Sequence, residues 1–131
     1  MTKQDQYLRC DPYTAELHEA YGETEVYLVQ SASDTETRYR VEIDLAYPEH
    51  DRCSCPARVP CNHIDRARLR GLLDDCLAKC LRHYAGWSRR ELEDEDLRLR
   101  VIIAAQGAGP FLLTQYTAVG DTLAAVIAAA A

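Results

Sequence analysis

Apolar and polar residues alternate most clearly between residues 37 and 47, TRYRVEIDLAY. Apolar side chains occupy every second position from Tyr39 to Leu45, and charged side chains occupy the positions between them. A period of two is typical of a strand with one buried face. The segment TEVYLVQ at 24–30 is rich in β-branched and aromatic residues, and the SASD that follows it has turn chemistry. We therefore predict a β-hairpin over residues 24–46.

A second apolar pattern, at helical spacing, follows further along the chain. Apolar residues recur at three- and four-residue steps from Leu69 to Tyr84. This stripe predicts a helix over residues 62–84. Asn62 is placed to cap that helix, with Asp65 at its third position, which is close to a capping box.

Three further helices are predicted from caps and chain breakers. An Asp-Pro pair near the beginning predicts a short helix at about 12–20. Ser88 is a helix cap in front of RRELEDEDLRLRVIIAAQ, and two glycines and a proline then interrupt the chain. The last helix begins either at Pro110 or after Gly120. The fold class expected from these elements is α+β.

The charge of the chain is unevenly distributed. The 131 residues carry a net charge of −6, which argues against a protein that coats nucleic acid by bulk charge. Residues 1–50 hold four basic and eleven acidic groups, whereas residues 51–70 hold five Arg and two Asp, a local net charge of +3. A local basic patch therefore remains compatible with the composition.

The N-terminal sequence is polar and charged, and the chain contains no run of 18 apolar residues. We therefore expect no secretory signal, no membrane partner and a cytoplasmic location, or a nuclear one in a eukaryote. Thiols are kept reduced in those compartments, so six cysteines indicate metal ligands or small apolar side chains before disulfides.

Half of the cysteines are crowded into the positive segment. The sequence CSCPARVPCNH at 53–63 places Cys53, Cys55, Cys61 and His63 within eleven residues. Structural zinc takes four Cys or His ligands in a tetrahedron, and each C-x-C or C-x-H pair can form one chelating arm. We predict one structural zinc ion here. Iron–sulfur ligation is the main alternative, and a catalytic zinc is disfavoured because four good ligands leave no open position.

The order of ligands C-x-C-x(n)-C-x-H, placed after a hairpin and before a helix, resembles the SWIM-type zinc finger. CSCP and CNHI stand where that family has its two ligand pairs, and the resemblance covers roughly residues 24–80. It implies a ββα zinc module that binds DNA or protein and is not catalytic. Two departures are the five-residue loop, which is short for the family, and Asn62, where members often carry Lys.

With this module at the centre, the chain divides into three segments. Residues 1–23 form an N-terminal helical segment, and residues 24–85 form the zinc module. Residues 86–131 form a C-terminal helical segment that packs on the module or makes an interface. Residues 101–131 contain a single charged side chain, so a homodimer or a partner-docking face is nearly as strongly expected as burial within the chain.

Three functions remain open. The favoured one is an accessory protein that binds DNA through arginines beside the zinc loop. These candidate phosphate-binding residues are Arg52, Arg58, Arg66, Arg68 and Arg70. The alternative is a protein-interaction adaptor or homodimer. An enzyme is the least favoured, since the sequence has none of the common catalytic motifs.

The remaining cysteines permit a second metal site. Cys76, Cys80 and His83 share a face of the predicted helix, and Cys10 is available as a fourth ligand. However, Cys76 and Cys80 lie within the leucine stripe, where cysteine behaves as a small apolar residue. We expect core cysteines rather than a second zinc site.

Overall fold

The structure, a computed structural model, describes residues 12–31, 36–56 and 61–131. Within these residues the chain is α+β, with a four-stranded antiparallel sheet and three α-helices. The strands, in the order in which they lie side by side, are β1 (Ala15–Tyr21), β2 (Thr24–Gln30), β3 (Arg38–Asp44) and β4 (Arg52–Cys53). The helices are α1 (Asn62–Tyr84), α2 (Arg89–Gln106) and α3 (Pro110–Ala130). Short 3-10 turns occupy Pro12–Thr14 and Pro48–His50.

The two strands of the hairpin predicted for residues 24–46 are confirmed. β2 and β3 pair antiparallel along their whole length, and Val41 and Ile43 are buried on one face as the alternation predicted. Leu45, which the alternation places on the same face, is 59% exposed. The strand ends at Asp44. Its carboxylate accepts hydrogen bonds from the backbone N–H groups of Ala46 and Tyr47, and these bonds turn the chain.

The prediction of a helix at about 12–20 is wrong. Only Pro12–Thr14 forms a helical turn, and the chain then continues as β1. β1 pairs with β2 along the edge of the sheet, and Gly22, with φ of +59°, begins the two-residue connection between them. Cap signals and helix propensity are weak priors, and strand pairing with β2 overrides them here. The sheet therefore has two strands more than the predicted hairpin.

Helix α1 packs against the sheet through small residues. Ala67 is fully buried in a core cluster with Tyr27, Val29 and Val41. One turn further on, a Cβ atom at Gly71 would lie only 2.8 Å from the hydroxyl oxygen of Tyr27. A glycine in the middle of a helix normally costs stability, and here it makes room for the buried tyrosine.

The chain forms two compact units, residues 1–72 and residues 73–131, and the boundary between them falls within α1. In the second unit, the end of α1 joins α2 and α3 around a core of Tyr84, Leu92, Leu99, Ala118 and Val119. The cap predicted at Ser88 is confirmed as a complete capping box with Glu91. Helix α3 begins at Pro110, the first of the two predicted starts.

A polar network crosses the core of the second unit. The hydroxyl of Tyr84 donates a hydrogen bond to Glu95 over 2.9 Å and accepts one from the amide of Gln115 over 2.8 Å. Arg98 pairs with the same carboxylate, and this hydrogen bond holds the pKa of Glu95 below its ordinary value. Residues of three helices therefore meet at the Tyr84 hydroxyl, which both donates and accepts a hydrogen bond.

Helix α3 is also the described segment that is long and apolar enough to cross a membrane, with 21 residues. Only 17% of its most apolar window is buried. Length and composition alone do not distinguish a membrane span from a core helix, so this finding assigns no location.

Candidate metal centre

The four residues of the predicted zinc site come from two elements. Cys53 ends β4, and Cys55 follows it by two residues. Cys61 directly precedes α1, and His63 lies in the first turn of that helix. Asn62, predicted as the cap of this helix, is its first residue. The site therefore joins the last strand of the sheet to the helix that covers it.

Ser54, the residue between the first two cysteines, fixes that arm to the sheet. Its backbone N–H donates to the carbonyl oxygen of Arg40 over 3.0 Å, and its hydroxyl accepts the backbone N–H of Arg40 over 2.9 Å. The backbone N–H of Cys55 then donates to the sulfur of Cys53 over 3.5 Å. Sequence reasoning missed Ser54, because only the register of β3 with β4 reveals its partner.

The four candidate ligand atoms lie within 4.8 Å of one another, and all four side chains are half-buried. Zinc–ligand bonds of about 2.0–2.3 Å give a tetrahedron with edges of roughly 3.3–3.8 Å, so small side-chain adjustments suffice to surround one ion. Cys53, Cys55, Cys61 and His63 can therefore hold a metal ion, and the donor set is consistent with one zinc.

The surroundings of Cys53 and Cys61 shift the pKa values of their thiols in opposite directions. Burial, followed by the neighbouring sulfurs of Cys55 and Cys61, raises the pKa of Cys53 to about 12. Burial acts in the same direction on Cys61. The backbone N–H of Ile64, hydrogen bonds from the thiols of Cys55 and Cys53, and the backbone N–H of His63 together outweigh burial and lower the pKa of the Cys61 thiol. One thiolate is thus stabilised by the helix, whereas the Cys53 thiol needs a cation to ionise near neutral pH.

The surroundings of His63 favour the neutral imidazole that binds a metal. Burial, followed by the positive charge of Arg66, lowers the pKa of the imidazole, which favours the neutral form that a metal requires. Its ring lies 4.8 Å from that of Tyr39, centroid to centroid. Within the described part of the chain, Nδ1 of His63 is buried and has no hydrogen-bond partner. A buried ring nitrogen without a hydrogen-bond partner, on a residue of the Cys/His cluster, fits a metal-binding role for His63.

Two of the predicted phosphate-binding arginines connect α1 to the sheet. Arg66 is 7% exposed and donates to the hydroxyl of Thr14 over 3.3 Å and to the carbonyl oxygen of Gln30 over 3.0 Å. Arg70 donates to the carbonyl oxygen of Ala15 over 3.3 Å. Both guanidinium groups contribute to holding the helix on the strands.

Arg68 makes the strongest of these contacts. Its Nε and Nη2 atoms both bind a carboxylate oxygen of Asp51, over 2.7 and 2.6 Å, and Nη2 also donates to the carbonyl oxygen of Pro48. The Asp51 side chain is 2% exposed and accepts the backbone N–H of Asp44 over 2.7 Å. This pair, which sequence reasoning did not identify, fixes the loop that leads into β4.

The other two arginines are placed differently. Arg52 is exposed on β4, paired across the sheet with Glu42, and borders an open polar depression with Asp44 and His50. Arg58 lies outside the described residues. Arg66 and Arg70 therefore reach the sheet and its N-terminal approach, Arg68 reaches the loop before β4, and Arg52 stays at the surface.

The cysteines considered for a second metal site lie in α1. The sulfurs of Cys76 and Cys80 are 3.9 Å apart, and both side chains are half-buried. The ring of His83 lies beside that of Trp87, with 5.5 Å between the centroids and a tilt of 56° between the planes. Cys10 lies outside the described residues. Among the residues that the structure describes, the cluster at Cys53 is the one group of three or more close candidate ligands.

Comparison of the chain with known proteins found no matching family model, no matching curated protein and no matching solved structure.

Proposed function

We propose that the chain is a non-catalytic binding module with one structural zinc ion at Cys53, Cys55, Cys61 and His63. The observation that carries this proposal is the convergence of four soft or borderline ligand atoms within 4.8 Å, supplied by β4 and the start of α1. Four protein ligands fill a tetrahedron and leave no position for a substrate. The ion then fastens the helix to the sheet rather than performing chemistry.

The SWIM-type resemblance is part of the same proposal. The β2–β3 hairpin, the two ligand pairs and α1 follow one another in the order that a ββα module requires. β1 and β4 extend the sheet beyond that minimal module. The ligand order and this succession of elements support the assignment.

Metal removal tests the zinc. The purified chain is expected to contain one zinc per molecule, and a strong chelator should lower its melting temperature and its ordered secondary structure, because metal binding is coupled to folding at such sites. Cys53→Ser should lose the zinc, and Cys76→Ser, a half-buried cysteine elsewhere, should keep it. Circular dichroism and melting unchanged by a chelator would overturn the structural role.

Nucleic-acid binding is the first candidate role for the module. It is supported by the local charge of +3 over residues 51–70 and by the exposed Arg52. The contacts of Arg66, Arg68 and Arg70 argue against a row of arginines that are all free to bind phosphate. Each of the three binds another part of the same unit. The role predicts DNA affinity that falls steeply with salt and weakens in Arg52→Ala, and absence of binding at low salt refutes it.

Protein docking, including a homodimer through residues 101–131, is the second candidate role. Large apolar side chains on α2 and α3 are exposed to solvent. They are Leu97 (61%), Val101 (60%), Phe111 (46%), Leu113 (43%) and Ile127 (41%). Apolar groups exposed in this number favour an interface. Light scattering should give a dimer mass that Leu113→Glu reduces to that of the monomer, and a monomer at high concentration excludes the homodimer.

A further inference from the structure

We propose that Cys76 and Cys80 form a second metal site, a dithiol chelate for monovalent copper, separate from the zinc cluster. The two residues are four apart on α1, so that their side chains project from the same face of the helix. Both belong to the second compact unit, whereas the zinc cluster belongs to the first. The proposal is therefore independent of the proposed zinc site.

The separation of the sulfurs fits one shared ion. Cys76 Sγ and Cys80 Sγ are 3.9 Å apart. Metal–thiolate bonds of about 2.3 Å put two sulfurs about 3.8 Å apart in a tetrahedral arrangement and about 4.6 Å apart in a linear one. The observed distance lies between these limits, so an ion can enter between the sulfurs without rearrangement of the helix.

The number and surroundings of the ligands select the ion. Among the described residues, this pair belongs to no group of three close candidate ligands, whereas zinc in a structural site takes four. Cys80 packs against the apolar cluster around Tyr84, together with Leu77 and Trp87. Soft thiolates in apolar surroundings favour monovalent copper, which accepts few ligands.

Binding is an acid–base exchange with no change of oxidation state. Cu⁺ forms two Cu–S bonds, and the two S–H bonds release two protons to solvent, which leaves a bis-thiolate with one negative charge. Affinity should accordingly rise with pH, as it does for other thiolate sites.

The test is residue-specific thiol protection in the zinc-loaded full chain under anaerobic conditions. One equivalent of Cu⁺, delivered from a weak chromogenic chelator, is added before alkylation and peptide mapping. Cys76 and Cys80 should be protected together, with no release of zinc. Unchanged alkylation of both residues, or zinc release at the first equivalent, would overturn the proposal.

Single variants provide the matched control. Cys76→Ser and Cys80→Ser should each weaken Cu⁺ binding at this site by about two orders of magnitude, because a chelate with one arm removed loses its high effective concentration. Circular dichroism of each variant checks the helix. If either variant binds Cu⁺ as tightly as the parent chain does, the two cysteines do not act together.

Discussion

The close approach of Tyr27 to Gly71 allows a prediction for Gly71→Ala. Whether this substitution raises or lowers the free energy of unfolding depends on the hydroxyl oxygen of Tyr27. Replacing a glycine in a helix interior by alanine normally stabilises a protein by about 1 kcal/mol. At Gly71 the new Cβ would lie 2.8 Å from the Tyr27 hydroxyl oxygen, a contact that cannot persist. The tyrosine is 1% exposed, and its hydroxyl donates to Glu25 over 3.3 Å, so the ring cannot swing into solvent.

The magnitude follows from these two opposing effects. Overpacking of a buried site costs roughly 1–3 kcal/mol, which cancels or exceeds the gain in helix propensity. We therefore expect Gly71→Ala to change the free energy of unfolding by between zero and a loss of about 2 kcal/mol. In a Tyr27→Phe background the hydroxyl is gone, and the next ring atom lies at an ordinary 3.7 Å. The same substitution should there stabilise the chain by up to about 1 kcal/mol.

The assay is urea denaturation of the parent chain, both single variants and the double variant, all loaded with metal. The double-mutant cycle should give a coupling of about 1–3 kcal/mol between Gly71 and Tyr27. A gain of about 1 kcal/mol from Gly71→Ala with Tyr27 intact, and no coupling, would show that α1 does not pack on the sheet this closely. The position of α1 matters to the metal centre because the same helix carries His63.

Three further predictions concern contacts outside the metal centre. Asp51→Asn should destabilise the chain by about 2 kcal/mol in urea denaturation, because it weakens a charge-assisted pair whose Arg68 partner is partly solvated; an unchanged midpoint would mean that the pair contributes nothing. Ser88→Ala should lower the free energy of unfolding by about 1 kcal/mol through loss of the capping box, and Ser88→Thr, which keeps the hydroxyl, should lose much less. Arg98 lowers the pKa of Glu95 in the folded state, so this pair stabilises the chain above the ordinary pKa of 4.5, and the stabilisation is lost as pH falls through the lowered value. Glu95→Gln should therefore flatten the acid limb of a melting-temperature profile, and an identical slope in the variant would refute the assignment.

The structure also changes how strongly the arginines beside the candidate metal centre support DNA binding. The sequence shows five arginines in a positive stretch, and side-chain direction decides what they contact. Arg68 reaches back to a buried carboxylate seventeen residues away, and Arg66 reaches a backbone carbonyl thirty-six residues away. Such partners have no signature in local spacing, because they depend on how the helix lies on the sheet.

Local pattern was sufficient wherever a feature depends on neighbouring residues. The alternation at β3, the apolar stripe of α1, the Ser88 cap and the break before Pro110 are each set by side chains within a few positions, and the structure confirms these elements. The four candidate metal ligands are also close together in the sequence, within eleven residues, and their ligand atoms lie within 4.8 Å of one another.

Tertiary structure decided what local signals contradicted or left open. The Asp11-Pro12 pair is a helix-start signal, but residues 15–21 after it form an edge strand, since the hydrogen-bonding edge of β2 offers a more favourable partner than an isolated helix. Gly71 and Ser54 acquire their roles from a tyrosine on β2 and a backbone group on β3. A sequence by itself determines what each residue can do over one or two turns of chain, and only the packed fold determines which distant group it meets.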